Sequence, residues 1–333
     1  MIRAPDFWWR KRGGALLAPL GALYGAVAFM RLQRHGARAG VPVICLGNLT
    51  VGGAGKTPAA LAVAHLLLAA HERPFFLSRG YGGKLAGPVR VDPAVHHARE
   101  VGDEPLLLAR LAPTIVARDR VAGAKAARLR GAGVIVMDDG FQNPSLDKDL
   151  AILMIDGRRG IGNGRVIPAG PLRAPLQAQL ARAQALIVVG PADGATAAIE
   201  AARRHGIAVF HGRLEADRHS LAALSGRKVL AFAGIGDPEK FFVTLSEAGV
   251  TVAGRMSFAD HHRYTAADAQ ALIARADAEN LVLLTTEKDH VRLGGEPALA
   301  KLAARAGILP VRLVVNEQDQ LRQMVLTAAK KRA

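Results

Sequence analysis

The run LGNLTVGGAGKTPAA, Leu46 to Ala60, sets glycines at 52, 53 and 55 ahead of Lys56 and Thr57. Residues of these types turn successive backbone N–H groups toward a phosphate chain at the start of a helix. Glycine allows the close approach and the unusual dihedrals that this requires. The lysine then faces the β and γ phosphates, and the hydroxyl after it faces a magnesium ion. The common form of the loop opens with glycine, whereas this chain has Thr50. That position mainly shapes the exit from the preceding strand, so a small threonine can serve. Thr50, Val51, Gly52, Gly53, Ala54, Gly55, Lys56 and Thr57 form the expected nucleotide-phosphate loop, with Lys56 catalytic and Thr57 also a metal ligand.

A phosphate loop needs a second magnesium anchor at the end of a neighbouring strand. Asp138 and Asp139, closing VIVMDD, suit that task. Adjacent acids point different ways, so one can hold the metal while the other orients a loop. Asp103 and Glu104 open a helical pattern in VGDEPLLLA. They read equally well as helix-capping acids and as a carboxylate base for a hydroxyl. His261 and His262 in ADHHRY admit three roles: metal ligands, partner of a base, or surface residues. No companion ligands stand at zinc spacing. The segment TEKD, Thr286 to Asp289, has its lysine one position away from a guanine-reading NKxD motif, so ATP is the expected nucleotide.

The elements that must position these residues alternate. VPVICLGNL, RPFFLSRG, APTIVA, GVIVMDDGF, LAILMIDG and ALIVVG read as strands, with helical patterns in Thr57–Ala70, DEPLLLARLA and RVAGAKAARLRGAG. Such alternation implies right-handed βαβ units, a mostly parallel sheet with helices on both faces, and ligands beyond the carboxyl ends of the strands. From about Leu221 the theme repeats as KVLAFAGIG, PEKFFVTLSEAG, TVAGRMSFADHH, TAADAQALIARAD and NLVLLTTEKD. The expected organisation is an N-terminal membrane-associating segment (1–39), a phosphate-loop core (40–206) and a smaller α/β domain (222–305). Extended linker strands at 207–221 and 306–316 would join the two domains.

Lys and Arg number 44 against 28 acids, a net charge of +16. This favours polyanionic partners: anionic lipid, phosphorylated substrates or nucleic acid. Base composition of the genome is a further source of such charge. A single cysteine, Cys45, rules out an intramolecular disulfide and any multi-cysteine zinc site. Gly13 to Met30 is uncharged, with Arg10, Lys11 and Arg12 before it and Arg31, Arg34 and Arg38 after it. It reads as a membrane span, a buried core helix, or a helix lying in the bilayer interface with Trp8 and Trp9 at headgroup level. The interfacial placement is the expected one.

Taken in order, GNLTVGGAGKTP, SRGYGG, VGDEP, DDGFQ, DLAILMIDG, GNGRVIPAGPLR, AGIGDPEKFF, ADHH and TEKD resemble the tetraacyldisaccharide 4'-kinases of lipid A biosynthesis. The likeness covers most of the chain, and in that family the loop typically opens with Ser or Thr, as Thr50 does here. It implies transfer of the ATP γ-phosphate, with Mg2+, to the 4'-hydroxyl of a tetraacyldisaccharide 1-phosphate, giving lipid IVA. It also implies two α/β domains that close over the nucleotide. Carried over by position, Asp103 matches the proposed base and His261 its partner. Asp138 and Asp139 match the acids near magnesium. Tyr81, Gln142 and Arg173 are candidate substrate contacts. The chain departs from the family at Ala174, where PLRE is common. The implied partners are the lipid A disaccharide precursor and the anionic cytoplasmic face of the bacterial inner membrane, with no nucleic acid and no obligate protein. A phosphate-loop metallochaperone or assembly ATPase is the rival class, and it calls for ligand cysteines that this chain lacks. A nucleic-acid-binding ATPase is a second, suggested by charge alone, and only 5% of residues are aromatic for base stacking.

Overall fold

The computed structural model describes residues 5–10 and 13–331. Residues 1–4 of the N-terminal segment, and Lys11 and Arg12 of its basic flank, lie outside the described residues. In chain order the strands are β1 (Val43–Asn48), β2 (Pro74–Ser78), β3 (Val89–Arg90), β4 (Thr114–Val116), β5 (Val134–Asp138), β6 (Leu150–Asp156) and β7 (Ala185–Val189). They continue with β8 (Ala208–Ala216), β9 (Lys228–Ala233), β10 (Thr251–Ser257), β11 (Val282–Thr286), β12 (Gly307–Leu309) and β13 (Val311–Val315).

Nine strands form one sheet in the order β13-β8-β7-β6-β1-β5-β2-β4-β3, and four form a second, β10-β9-β11-β12. Only the edge pairs β13–β8 and β3–β4 are antiparallel. The central strands β1, β5, β6 and β7 are buried along their whole length. That explains their unbroken apolar sequences, because helices cover both faces of a parallel sheet. Ile44 and Leu46 pack on one side with Val63, Leu67 and Phe76. Cys45 and Leu153 pack on the other with Leu77, Ala178 and Ala198.

Three features differ from the sequence reading or go beyond it. The two extended pieces expected as linkers do pair, through β8 and β13. Their ribbon continues the large sheet, and β12 within the second piece instead joins β11 in the small sheet. After β13 the chain returns to the large sheet as the helix Gln318–Ala329, whose Leu321 and Val325 share a core with Val63 and Leu67 of the phosphate-loop helix. Trp8 is also buried, with its indole N–H donating to the Pro168 carbonyl at 2.9 Å. It therefore anchors the chain terminus to the protein itself and not to headgroups.

The apolar segment forms the helix Ala18–Leu32. Gly21, Gly25 and Leu32 are its buried residues, the two glycines packing against Val166, Ala169 and Pro175 and Leu32 joining the large core. A Cβ on Gly21 would lie 2.8 Å from the Val166 carbonyl oxygen, so this contact needs glycine. The remainder of the helix leaves Leu20, Leu23, Tyr24, Val27, Phe29 and Met30 exposed.

If the C-terminal helix completes the core beneath the phosphate loop, Leu321→Ala should cost about 2–5 kcal/mol. The denaturation midpoint of the full chain measures this; an unchanged midpoint would remove that helix from the cooperative unit.

Candidate active site

β1 lies between β6 and β5, in parallel register with both, and Leu46 stands opposite Asp138. The loop leaving β1 therefore emerges beside the turn leaving β5. This loop passes through Gly52 at φ 120° and Gly55 at φ 81°, both in the range that favours glycine. A Cβ on Gly52 or Gly53 would meet nothing within 4 Å, so the loop borders open space. The helix Lys56–Ala69 starts directly after it, and no side chain caps its first N–H groups. An uncapped helix N-terminus beside a lysine is a built receptor for an anion.

The loop is fastened from behind. The Val51 N–H donates to the Pro171 carbonyl at 2.8 Å, and the Arg173 N–H to the Leu49 carbonyl at 3.1 Å. Asn48 Nδ2 donates to the Gly52 carbonyl at 2.7 Å. Gln142 Nε2 reaches the Asn48 carbonyl at 3.1 Å, and Gln179 Nε2 the Leu49 and Ala174 carbonyls at 3.2 and 2.8 Å. Ala174 is fully buried, so this position contributes packing and a backbone acceptor in place of a carboxylate.

The two adjacent acids divide. Asp139, at φ 53°, turns its carboxylate to Arg173 Nη1 at 2.8 Å and Lys56 Nζ at 3.5 Å. Asp138 is buried with both carboxylate oxygens unpartnered, as is Thr57 Oγ1. Unpaired buried oxygens are costly unless something binds them. One carboxylate and one hydroxyl of this kind fit a divalent cation such as Mg2+, which is usually held by one or two carboxylates together with substrate phosphates. Burial, reinforced by the charge of Glu104, pushes the Asp138 carboxyl up to about 7, whereas burial lowers the Lys56 ammonium.

Asp103 begins the helix Asp103–Ala109 and is only 4% exposed. Its Oδ1 accepts the Glu104 N–H at 3.0 Å, and its Oδ2 lies 3.5 Å from His261 Nδ1. Burial alone would raise the Asp103 carboxyl. The hydrogen bond from His261 and the charges of Arg292 and Lys288 together outweigh it, so the carboxyl is held well below the usual range. His261, at φ 55°, projects from the turn after β10, and the Tyr81 ring sits 5.3 Å from its own. His262 turns away, with Nε2 3.0 Å from Asp268 Oδ2 and its ring stacked on Phe258. Of the two histidines, His261 alone meets Asp103.

A cleft of about 480 Å³ is lined by Asp138, Asp139, Gln142 and Arg173 and by Tyr24, Val27 and Arg31 of the exposed apolar helix. Arg79, Arg118 and Arg120 also line it. A second cavity of about 420 Å³ holds Asp103, His261 and Arg292, and Tyr81 borders both. Sequence reasoning missed Arg79, Arg118 and Arg120 in the cleft, and Lys288 and Arg292 beside the acids. Arg79 and Arg118 lie in loops and Arg120 begins the helix Arg120–Leu129, with no shared spacing to flag them, whereas Lys288 and Arg292 stand one helical turn apart in and after TEKD.

A strand, a glycine-rich loop and a helix, with carboxylates at the neighbouring strand end, define a phosphate-loop protein of the kinase type. The particular family emerges from comparison. The profile described as tetraacyldisaccharide-1-P 4'-kinase matches residues 14–330, and the chain belongs to that family. A tetraacyldisaccharide 4'-kinase of Rhodopseudomonas palustris (strain BisB18) is 54% identical over 98% of this chain and 95% of its own. That of Methylobacterium sp. (strain 4-46) is 56% identical over 96% and 95%. The crystal structure of LpxK from Aquifex aeolicus in complex with ATP superposes with a TM-score of 0.72 at 28% identity, covering 95% of this chain and 99% of that one.

If the Asp138 oxygens receive the cation, Asp138→Asn should weaken Mg2+-dependent ATP binding by at least about tenfold and leave Mg2+-free ATP binding little changed. Calorimetric titration with and without the metal measures this, and equal losses in both arms would take Asp138 out of the metal set.

Proposed function

We propose that the chain transfers the γ-phosphate of ATP to the 4'-hydroxyl of a tetraacyldisaccharide 1-phosphate, giving the 1,4'-bisphosphate lipid A precursor. The observation that carries this reading is the continuity of the cleft. The same cleft is lined by Asp138 and Asp139, the second of which lies 3.5 Å from Lys56 of the phosphate loop, by five arginines, and by Tyr24 and Val27 of the exposed apolar helix. An acceptor with acyl chains and a phosphate needs acidic, basic and apolar surfaces in one cleft.

Residues 50–57 take the nucleotide phosphates, through backbone N–H groups, Lys56 and the helix N-terminus. Thr57 and Asp138 hold Mg2+, which when bound offsets charge on the transferring group. Asp139 keeps Arg173 and Lys56 in place at the loop. Tyr81, Arg173 and Gln142 border the acceptor. The acceptor hydroxyl loses its proton to the Asp103–His261 pair as its oxygen bonds to the γ-phosphorus and the bond to ADP breaks. The large-sheet unit carries the loop and the small-sheet unit carries His261, so the complete site requires both units to meet over the nucleotide.

The enzyme works at the cytoplasmic face of the inner membrane, on an interfacial helix. The helical segment Ala15–Leu32 is long and apolar enough to cross a membrane by length and composition, so the interfacial placement rests on its packing against the protein. Its glycine face is already occupied by the protein. Each half-exposed Leu, Val or Phe adds on the order of 1 kcal/mol when it enters the interface. The positive net charge adds attraction to an anionic leaflet.

Incubation with ATP, Mg2+ and a tetraacyldisaccharide 1-phosphate in detergent micelles should yield the bisphosphate, and no product would end this reading. Asp103→Ala and His261→Ala should each lower kcat by about 10²–10⁴-fold with ATP affinity kept; a variant that simply fails to bind ATP would overturn its assignment to the pair. Replacing Leu23 and Val27 together by Glu should shift the protein from sedimenting with anionic liposomes to the supernatant. Unchanged sedimentation would place the membrane contact elsewhere.

A further inference from the structure

The TEKD segment lies outside the phosphate loop and supplies neither member of the proton-accepting pair. It forms the join between β11 and the helix Glu287–Leu293, with Thr286 as cap: Thr286 Oγ1 accepts the Asp289 N–H at 3.1 Å. Lys288 and Arg292 stand four residues apart and so share a helix face. That face meets the first turn of the Asp103–Ala109 helix, where two cations grip two consecutive carboxylates. Lys288 Nζ donates to Glu104 Oε1 at 2.7 Å, and Arg292 Nε to Asp103 Oδ2 at 2.9 Å.

Arg292 does more than pair with Asp103. Its Nη1 donates to the Gly234 carbonyl at 2.6 Å and to Asp289 Oδ1 at 2.8 Å. Its Nη2 donates to Asp103 Oδ2 and lies 3.4 Å from His261 Nδ1. The Gly234 carbonyl also accepts the His261 N–H at 3.0 Å. Asp289, fully buried, accepts the Gly234 N–H at 3.0 Å and the Tyr264 hydroxyl at 3.1 Å. One guanidinium, its side chain 7% exposed, thus touches the carboxylate supplied by the large-sheet unit and the backbone that carries His261.

We propose that Arg292 is a positioning residue for phosphoryl transfer, its planar guanidinium setting Asp103 and His261 in mutual register as the TEKD helix seats on the Asp103 helix. The proposal rests on the reading of Asp103 and His261 as the proton-accepting pair. Arg292 Nε and Nη2 both reach Asp103 Oδ2 while the Glu104 N–H holds Oδ1, so the two oxygens are fixed by separate donors. A planar guanidinium can serve Asp103, Gly234 and Asp289 at once, where an ammonium on a flexible stem cannot hold the same geometry. A misplacement of about 1 Å in a reacting pair costs on the order of 10²-fold in rate. Removing one partner of a buried ion pair lowers stability whatever its role, so the split between kcat and the KM for ATP, and not a loss of stability, is what reports positioning.

The test uses the full chain in steady-state assays with ATP, Mg2+ and a tetraacyldisaccharide 1-phosphate in micelles. Arg292→Met should lower kcat about 100-fold with the KM for ATP within about twofold, and Arg292→Lys should recover about tenfold of that loss. In an Asp103→Asn background, Arg292→Met should lower kcat no further than about twofold, because residues acting as one unit are not additive. Wild-type turnover in Arg292→Met overturns the proposal, as does a second full loss in the Asp103→Asn background. Should Arg292→Met fail to fold, Arg292→Lys decides. Reduced kcat at unchanged ATP affinity supports positioning, and wild-type kcat refutes it. Wild-type turnover in Asp103→Asn would instead overturn the pair itself, and this proposal with it. An inactive Asp103→Asn beside a fully active Arg292→Met overturns the positioning role alone.

Discussion

Everything at this site depends on the parallel pairing of β1 with β5. Parallel register sends both chains out of the sheet at the same end, so the glycine loop after β1 and the aspartates after β5 must meet. The buried, apolar strands supply the rigidity, and the loop is free to be glycine-rich because its support comes from elsewhere. That support is the 171–174 segment, which hydrogen-bonds to the loop entrance at Val51 and Leu49. The same segment presents Arg173 to Asp139, so one stretch of chain both braces the loop and directs one acid. The unpaired oxygens left on Asp138 and Thr57 result from that division of labour.

The parts of the site that lie near one another in sequence, or at strand ends, were legible without the structure. The loop, the Asp-Asp strand end and the alternating elements all arise from local pattern, since a parallel sheet places its ligand groups at strand termini. The family resemblance added the link between Asp103 and His261, which no spacing could give for residues so far apart in the chain. Other features needed three dimensions. The glycines of the apolar helix read as weak points of a membrane span, yet Gly21 and Gly25 pack on the protein. Trp8 looked like an interfacial aromatic until its N–H found the Pro168 carbonyl. The short strand β12 and the returning C-terminal helix carry too little pattern to assign to one sheet or the other.

Two buried carboxylates flank the catalytic region and are driven in opposite directions. Asp138 has no hydrogen-bond partner among the described residues, and burial with the charge of Glu104 outweighs Lys56 and raises its carboxyl to about 7. Asp103 is as deeply buried, but the His261 hydrogen bond and the neighbouring cations overcome that burial and hold it low. Environments that push two acids apart suit them to different tasks. An unpaired carboxylate is a site for an incoming cation, and a paired one stays ionised in a fixed orientation.

Glu104 connects these two acids. It borders the cleft with Asp138, its charge contributes to raising Asp138, and its own carboxylate is held by Lys288 from the small-sheet unit. The TEKD helix therefore touches both acids of the Asp103–Ala109 helix, Asp103 through Arg292 and Glu104 through Lys288. Neither cation lies in the phosphate loop, and neither belongs to the large-sheet unit that carries Asp103, Glu104 and Asp138. An acid arrangement of this kind holds only while the two units are in contact. The loop's glycines and helix N-terminus belong to the large-sheet unit, whereas Asp103 and His261 are brought together across the two units.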